Sequence, residues 1–113
     1  MDAPLLLTIA IPTYNRSQSL ALLLTSICQQ VKASQFAQLE VLVFDNCSPD
    51  DTTEVCRPFV SNYGFVRYIR HETNIVADNN FVSAFNSANG KYLWVIGDDE
   101  LLFDGAIDWV IEA

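Results

Sequence analysis

Apolar residues along this chain fall into two patterns. Three short runs are continuously apolar: "LLLTIAI" (Leu5–Ile11), "LEVLVFD" (Leu39–Asp45) and "KYLWVIG" (Lys91–Gly97). Such runs read as strands buried on both faces, because a strand covered on both sides need not alternate. "FVRYIR" (Phe65–Arg70) does alternate and predicts a further strand. The first run is expected to stop at Pro12, since proline cannot donate to a central ladder. Between the strands the period changes. "SQSLALLLTSICQQV" sets Leu20, Leu23, Leu24, Ile27 and Val31 at helical spacing, with Ser17 or Ser19 as N-cap. A short helix is expected from near Asp50, stopped or kinked around Pro58. "ADNNFVSAFNSA" predicts a third helix, ended by Asn89-Gly90 in a left-handed turn, and "FDGAIDWVIEA" a last one.

Strand and helix thus alternate four times. That order predicts an α/β fold, a mostly parallel sheet flanked by helices on both faces. In such sheets ligands bind beyond the carboxyl ends of the strands, where the strand order reverses. Three polar stretches fall at those ends: "PTYNR" (Pro12–Arg16), "DNCSPDD" (Asp45–Asp51) and "GDDE" (Gly97–Glu100). They are expected to share one rim.

Each stretch has a plain and a chemical reading. Asp45 can be a turn former, or an acceptor for a nucleobase N–H. Tyr14 can be a surface aromatic, or a platform on which a base stacks. Asp98, Asp99 and Glu100 can be a solvated turn capping the next helix. Adjacent carboxylates repel, however, unless a cation or proton intervenes. Mg²⁺ or Mn²⁺ takes one or two carboxylates and completes its shell with water and substrate phosphates. A metal bridging the acidic rim to a diphosphate would resolve the repulsion. The chain has neither a Walker A sequence nor G-x-G-x-x-G, so no glycine-rich phosphate loop competes with that reading.

Charge and composition narrow the classes. The chain has 113 residues, enough for one domain, half of them hydrophobic and 12% aromatic, which is a globular composition. Six basic residues against fourteen acidic ones argue against nucleic acid and against an anionic membrane surface, both of which need Lys and Arg. Cys28, Cys47 and Cys56 show no metal or redox spacing, and no signal peptide precedes them. Reduced thiols in small core or loop positions are expected, and with them a cytoplasmic location. His71 is the single histidine. No apolar run reaches the roughly 18 residues of a membrane span.

Taken together, "LTIAIPTYNR", "LEVLVFDNCSPDDT" and "ETNIVADNNFVSAFNSANGKYLWVIGDDELLFDGAI" resemble family 2 glycosyltransferases of the GT-A fold in order and spacing. The resemblance covers most of the chain. It implies a Rossmann-like GT-A half-domain. It also implies inverting transfer of a sugar from a nucleoside-diphosphate donor, UDP- or dTDP-type, to a hydroxyl of a saccharide or lipid-linked acceptor. Carried over by position, Pro12 and Tyr14 would line the base and ribose, and Asp45 would accept from the base. Asp98 would lie near the ribose or diphosphate, and Asp99 would ligate a divalent metal, Mn²⁺ or Mg²⁺. The sequence departs from the family pattern at three positions. Asn46 stands where many relatives have a second Asp, Val76 where many have Gly, and Gly97 where the first acid of D-x-D would fall. An alternative register pairs Asp98 with Glu100.

Full members of the family are usually about twice this length, and their second half supplies the acceptor site and catalytic base. A domain of that kind runs to roughly 250 residues. Residues 1–113 are therefore expected to be the N-terminal, donor-nucleotide-binding part, without the acceptor part or base, transferring sugar poorly alone. Faces meant for the missing part would favour a homodimer, and the full-length protein could associate peripherally with a membrane. Two other classes compete. A receiver domain shares the α/β order and acidic character, but its acceptor Asp is missing where "FVRYIR" runs into Arg70 and His71. A non-catalytic nucleotide- or protein-interaction module of the same fold is the main alternative.

Overall fold

A computed structural model describes residues 5–73 and 86–112. The helix expected over 77–88 falls almost wholly outside the described residues, as does Val76. Four strands, β1 (Leu7–Thr13), β2 (Leu39–Asp45), β3 (Val66–Arg70) and β4 (Tyr92–Val95), form one sheet in the order β3-β2-β1-β4. Every pairing is parallel. The helices are α1 (Ser17–Gln30), α2 (Thr52–Asn62) and α3 (Ala106–Glu112), with a 3-10 turn at Ala33–Gln35. The expected α/β architecture with a parallel sheet is thus observed, each strand within two residues of its apolar run.

Alternation along β1 and β2 divides the core into two faces. Ile9, Ile11, Val41 and Val43 face α1, whose Leu20, Leu23, Leu24 and Ile27 are fully buried, with Cys56 and Ile107 completing the cluster. Ala10, Leu42 and Phe44 turn to the opposite face, where Ile69, Leu93 and Val95 surround them. Each such aliphatic side chain contributes about 1.5–3 kcal/mol when fully buried. No helix among the described residues is long and apolar enough to cross a membrane.

Neither Pro12 nor Pro58 ends its element. β1 runs through Pro12 to Thr13, pairing Pro12 with Phe44. In a parallel strand successive residues bond to opposite neighbours. Leu6 and Ala10 accept from β4-side amides and Thr13 from Asn46 on the β2 side, so the Pro12 nitrogen faces β4. The β4 ladder has already ended there, at Ala10–Val95, so no bond is lost. Pro58 likewise lies inside α2, which continues to Asn62 and closes with Tyr63 N–H on the Phe59 carbonyl. Burial of Cys56 and packing of Phe59 on the core hold the helix past the missing donor.

The amino end of the sheet is clipped by a buried acid. Glu40 accepts from Thr8 Oγ1 (2.6 Å), the Asn89 backbone N–H (2.8 Å) and Asn89 Nδ2 (3.3 Å), with Arg67 at 3.5 Å. Gly90 N–H donates to the Thr8 hydroxyl at 2.8 Å. The expected left-handed end at Gly90 is not what the glycine provides: its φ is not positive. A Cβ there would meet Thr8 N at 2.5 Å and the Leu7 carbonyl carbon at 2.6 Å, so glycine is required by the close approach to β1.

Burial pushes the Glu40 carboxyl up, but the bonds from Thr8 and Asn89, with Arg67 alongside, outweigh it and hold it below the usual carboxylate range. A group depressed in the folded state stabilises above its unfolded value and loses that contribution as pH falls. Glu40→Gln is therefore expected to be less stable than wild type at neutral pH. The gap should close as pH drops below about 4. A gap in denaturation midpoints that persists unchanged to about pH 3 would contradict this.

Candidate functional site

The carboxyl ends of β1, β2 and β4 do meet, and β3 joins them. Strand order reverses at β1, which has β2 on one side and β4 on the other, so the loops after β1 and β4 flank the switch point. The β1–β4 ladder ends at Ala10–Val95, and the loop that follows stays alongside β1 far enough to bring Asp98 beside Thr13. Thr13 Oγ1 donates to Asp98 Oδ2 at 2.8 Å. Arg16 Nη1 lies 3.3 Å from Asp98 Oδ1 and 3.3 Å from Asp99 Oδ2. The Asp98 side chain is 10% exposed and that of Asp99 61%, so the first is built into the rim and the second projects from it. Glu100 makes no ion pair with Arg16 among the described residues. The pair that faces the Arg16 guanidinium is Asp98 and Asp99.

Gly97 belongs to this arrangement. A Cβ at Gly97 would stand 3.2 Å from Asp99 Oδ1, so the absent side chain leaves room for that carboxylate.

The second rim segment is organised around Asp45, which is fully buried. Asp45 Oδ1 accepts from Ser48 N–H at 2.9 Å and Ser48 Oγ at 2.5 Å. Its Oδ2 accepts from the Tyr68 hydroxyl, which also pairs with Thr53 Oγ1 at 2.9 Å. Ser48 Oγ in turn accepts from Asn15 N–H at 2.9 Å, so one chain of hydrogen bonds ties the loops after β1 and β2 to α2 and β3. Burial and the Asp45 carboxylate both push the Tyr68 hydroxyl well above the ordinary tyrosine range. Tyr68 therefore remains a donor, as Asp45 requires.

A second set of contacts reinforces the first. Ser17 was an expected N-cap, yet Arg16 occupies that position without a side-chain cap. The cap comes from across the rim: Ser17 N–H donates to Asp50 Oδ2 (3.1 Å) and Ser17 Oγ to Asp51 Oδ1 (2.5 Å). Burial raises the Asp50 carboxyl, but bonds from Thr52 and Ser17 outweigh it and hold it low. Asn15 and Cys47 both adopt left-handed backbone, at φ 55° and 62°. Asn tolerates that region; Cys47 carries strain there, next to the rim.

Tyr14 is 45% exposed and joins no ring contact among the described residues, so its face is available. Pro12 is half-buried near the end of β1. Arg70, at the end of β3, donates to the Ser48 carbonyl at 3.3 Å and lies 3.5 Å from Cys47 Sγ. Two guanidiniums therefore border the rim of a chain of net charge −8. All three cysteines are free thiols. Burial pushes Cys28 to about 11 and, with Asp45 nearby, Cys56 to about 12, so neither is a nucleophile.

Sequence reasoning found Pro12, Tyr14, Asp45, Asp98 and Asp99, and the structure brings them to one rim. It missed Thr13, Arg16, Ser48, Tyr68 and Arg70. Thr13 and Arg16 flank Tyr14 in "PTYNR", so an acid-binding partner for "GDDE" was present in the same motif. Tyr68 gave no signal of its own. An apolar groove of about 580 Å³ beside Tyr92, Trp94 and Trp109 lies toward the other end of β4, away from this chemistry.

Residues 8–113 match the family described as glycosyl transferase family 2. The abequosyltransferase RfbV of Salmonella typhimurium is 38% identical over 99 residues, covering 87% of this chain and 29% of RfbV. S. aureus TarS in complex with UDP-GlcNAc superposes with a TM-score of 0.81 at 21% identity, over 96% of this chain and 30% of TarS. The mannosyltransferase PcManGT from Pyrobaculum calidifontis, in complex with GDP-Man and Mn²⁺, gives 0.75 at 22% identity, over 88% and 30% of the two chains. The chain thus spans about a third of the length of the relatives it matches.

Proposed function

The chain belongs to glycosyl transferase family 2, and from that premise we propose that it forms the donor half of an inverting sugar transferase. It would bind a nucleoside-diphosphate sugar, UDP- or dTDP-type, whose sugar passes to a hydroxyl of a saccharide or lipid-linked acceptor. The observation that carries this is the Asp98–Arg16–Asp99 cluster at the switch point, tied to β1 through Thr13.

The residues present fit a divalent cation. Oxygens of Asp98 and Asp99 lie equally close to one guanidinium nitrogen, so both already face a single cationic point. Among the described residues no group of three or more His, Cys, Asp or Glu side chains could hold an ion unaided. Mg²⁺ and Mn²⁺ commonly take just one or two carboxylates and leave the remaining positions to water and donor phosphates. In this reading Asp99, the exposed member, is the direct ligand. Asp98, steadied by Thr13, stands beside it toward the ribose or diphosphate. Such an ion would neutralise the charge that develops on the departing diphosphate.

The rest of the rim orients the donor. The Tyr14 ring offers a stacking face, and Pro12 shapes the floor beneath the base and ribose. Asp45, expected as an acceptor for the base, is fully buried with both oxygens held by Ser48 and Tyr68, so its part is to set the turn against which the base lies. Arg16 and Arg70 supply the positive charge that the chain's net charge does not. No catalytic base is assigned within the 113 residues. In this reading residues 1–113 act in the cytoplasm, with their free thiols reduced, and transfer little sugar alone; measurable turnover by this chain would contradict that. Leu101, Phe103 and Trp109 are each about two-thirds exposed and suit a homodimer or a peripheral membrane contact. A strict monomer in sedimentation at high concentration would remove the dimer.

Calorimetric titration with UDP in the presence of Mn²⁺ tests the reading. Saturable binding is expected, and Asp99→Ala should abolish it while leaving the thermal midpoint within a few degrees, since the residue is exposed. Absence of binding to any nucleoside diphosphate would favour a non-catalytic interaction module.

A further inference from the structure

We propose that Arg16 is a built-in counter-ion of the donor site. It holds the cation position between Asp98 and Asp99 in the free protein and exchanges it for the diphosphate as the donor enters. The inference rests on the donor-site reading and deepens it, by making occupancy of the acidic pair conditional on nucleotide.

Two adjacent carboxylates at one point repel each other unless something positive lies between them. Here one atom does so: Arg16 Nη1 sits 3.3 Å from an oxygen of each. The contact is loose. Charge-assisted bonds usually run at about 2.7–2.9 Å, and Lys32 reaches Asp108 at 2.7 Å elsewhere in this chain. The Arg16 side chain is 55% exposed, and exposed ion pairs are weak. Its main chain is fixed: the Arg16 carbonyl accepts from Leu20 N–H at 2.9 Å as the first turn of α1. The guanidinium can therefore turn about an anchored Cα without disturbing the fold.

A guanidinium suits both positions. Beside the acids it neutralises; beside a diphosphate its planar fork pairs with two oxygens at once. A divalent cation arriving alone must displace Arg16 into water. A cation arriving with a nucleoside diphosphate displaces it onto a new anion. Metal and nucleotide should consequently strengthen each other's binding, by equal factors.

The test measures Mn²⁺ binding to the 113-residue chain by electron paramagnetic resonance, with and without UDP, in wild type, Arg16→Gln and Arg16→Lys. Without UDP, Arg16→Gln should bind Mn²⁺ about fivefold more tightly than wild type, the scale of one exposed ion pair. Arg16→Lys, which keeps the charge, should stay near wild type. With UDP, wild type should gain affinity for Mn²⁺; Arg16→Gln should gain less, keeping only the part that comes from donor phosphates ligating the metal directly. Equal Mn²⁺ affinity of wild type and Arg16→Gln without nucleotide, an undiminished UDP effect in Arg16→Gln, or no Mn²⁺ binding by any of the three would overturn the proposal. A chain that takes up no UDP at any Mn²⁺ concentration sinks the donor reading instead, while the comparison without nucleotide still decides what Arg16 occupies.

Discussion

Asp45→Ala is expected to cost about 4 kcal/mol of stability. The substitution removes the acceptor of three hydrogen bonds at a fully buried position. Bonds to a charged partner contribute about 1.5–3 kcal/mol each, and they do not add fully because they share one group. The Ser48 amide would be left as a buried donor without an acceptor, while the Tyr68 hydroxyl would keep only Thr53 Oγ1. Domains of this size hold about 5–15 kcal/mol in all, so the loss is a large share of the total. In urea the midpoint should fall with little change in slope, as for a change in native stability rather than in the denatured state. Asp45→Asn keeps one acceptor oxygen and should recover part of the difference. A loss under about 1 kcal/mol for Asp45→Ala would mean that the Ser48–Asp45–Tyr68 chain does not hold the rim together.

Gly90→Ala is expected to cost about 3 kcal/mol, and Gly90→Val more. The usual penalty for adding a methyl group in a packed site is about 1–3 kcal/mol, and this site is at the upper end for a specific reason. The two nearest atoms a Cβ would strike are main-chain atoms of Leu7 and Thr8, on a strand paired on both sides. They cannot rotate away as a side chain could. The remaining route is for the Asn89–Tyr92 segment to lift off β1. That breaks the Gly90–Thr8 bond and strains the Asn89–Glu40 pair. Since β4 leads into the loop that sets Asp98 against Thr13, UDP binding should weaken together with stability. A Gly90→Ala protein as stable as wild type would show that this approach relaxes freely.

β1 and β2 were readable because they are buried on both faces and so write themselves as apolar runs, whereas β4, which reads the same way, is an edge strand with Tyr92 exposed and Leu93–Val95 only partly buried. What misled were residues whose local rule depends on a neighbour. Proline breaks a ladder only if its nitrogen faces a partner, and Pro12 faces the side where β4 has ended. Gly90 looked like a helix terminator, whereas the steric demand comes from β1, some eighty residues away in sequence. Ser17 looked like a cap, and is itself capped by Asp50 from the next loop.

The site divides the same way. Asp45, Asp98 and Asp99 announce themselves as acids at the ends of apolar runs. Thr13 and Tyr68 do not, because their roles exist only through strand pairing. Thr13 reaches Asp98 because β4 pairs with β1 and its outgoing loop stays beside it. Tyr68 reaches Asp45 because the β2–β3 register sets it opposite Val43, two residues earlier on the same face. Sequence alone does not print register. Arg16 lies between these cases: its motif and the two acids were each legible, but not that they would meet.

The central claim is that the ends of β1, β2 and β4 form one nucleotide and metal site. Amide NMR of the chain with UDP, followed by a trace of Mn²⁺, tests it most directly. UDP should shift the amides of residues 13–16 and 45–48. Paramagnetic broadening should then be strongest at Gly97–Glu100 and next strongest at Thr13–Arg16. Broadening centred on Asp104, Asp108 or Glu112, or shifts confined to the groove at Tyr92 and Trp109, would contradict it.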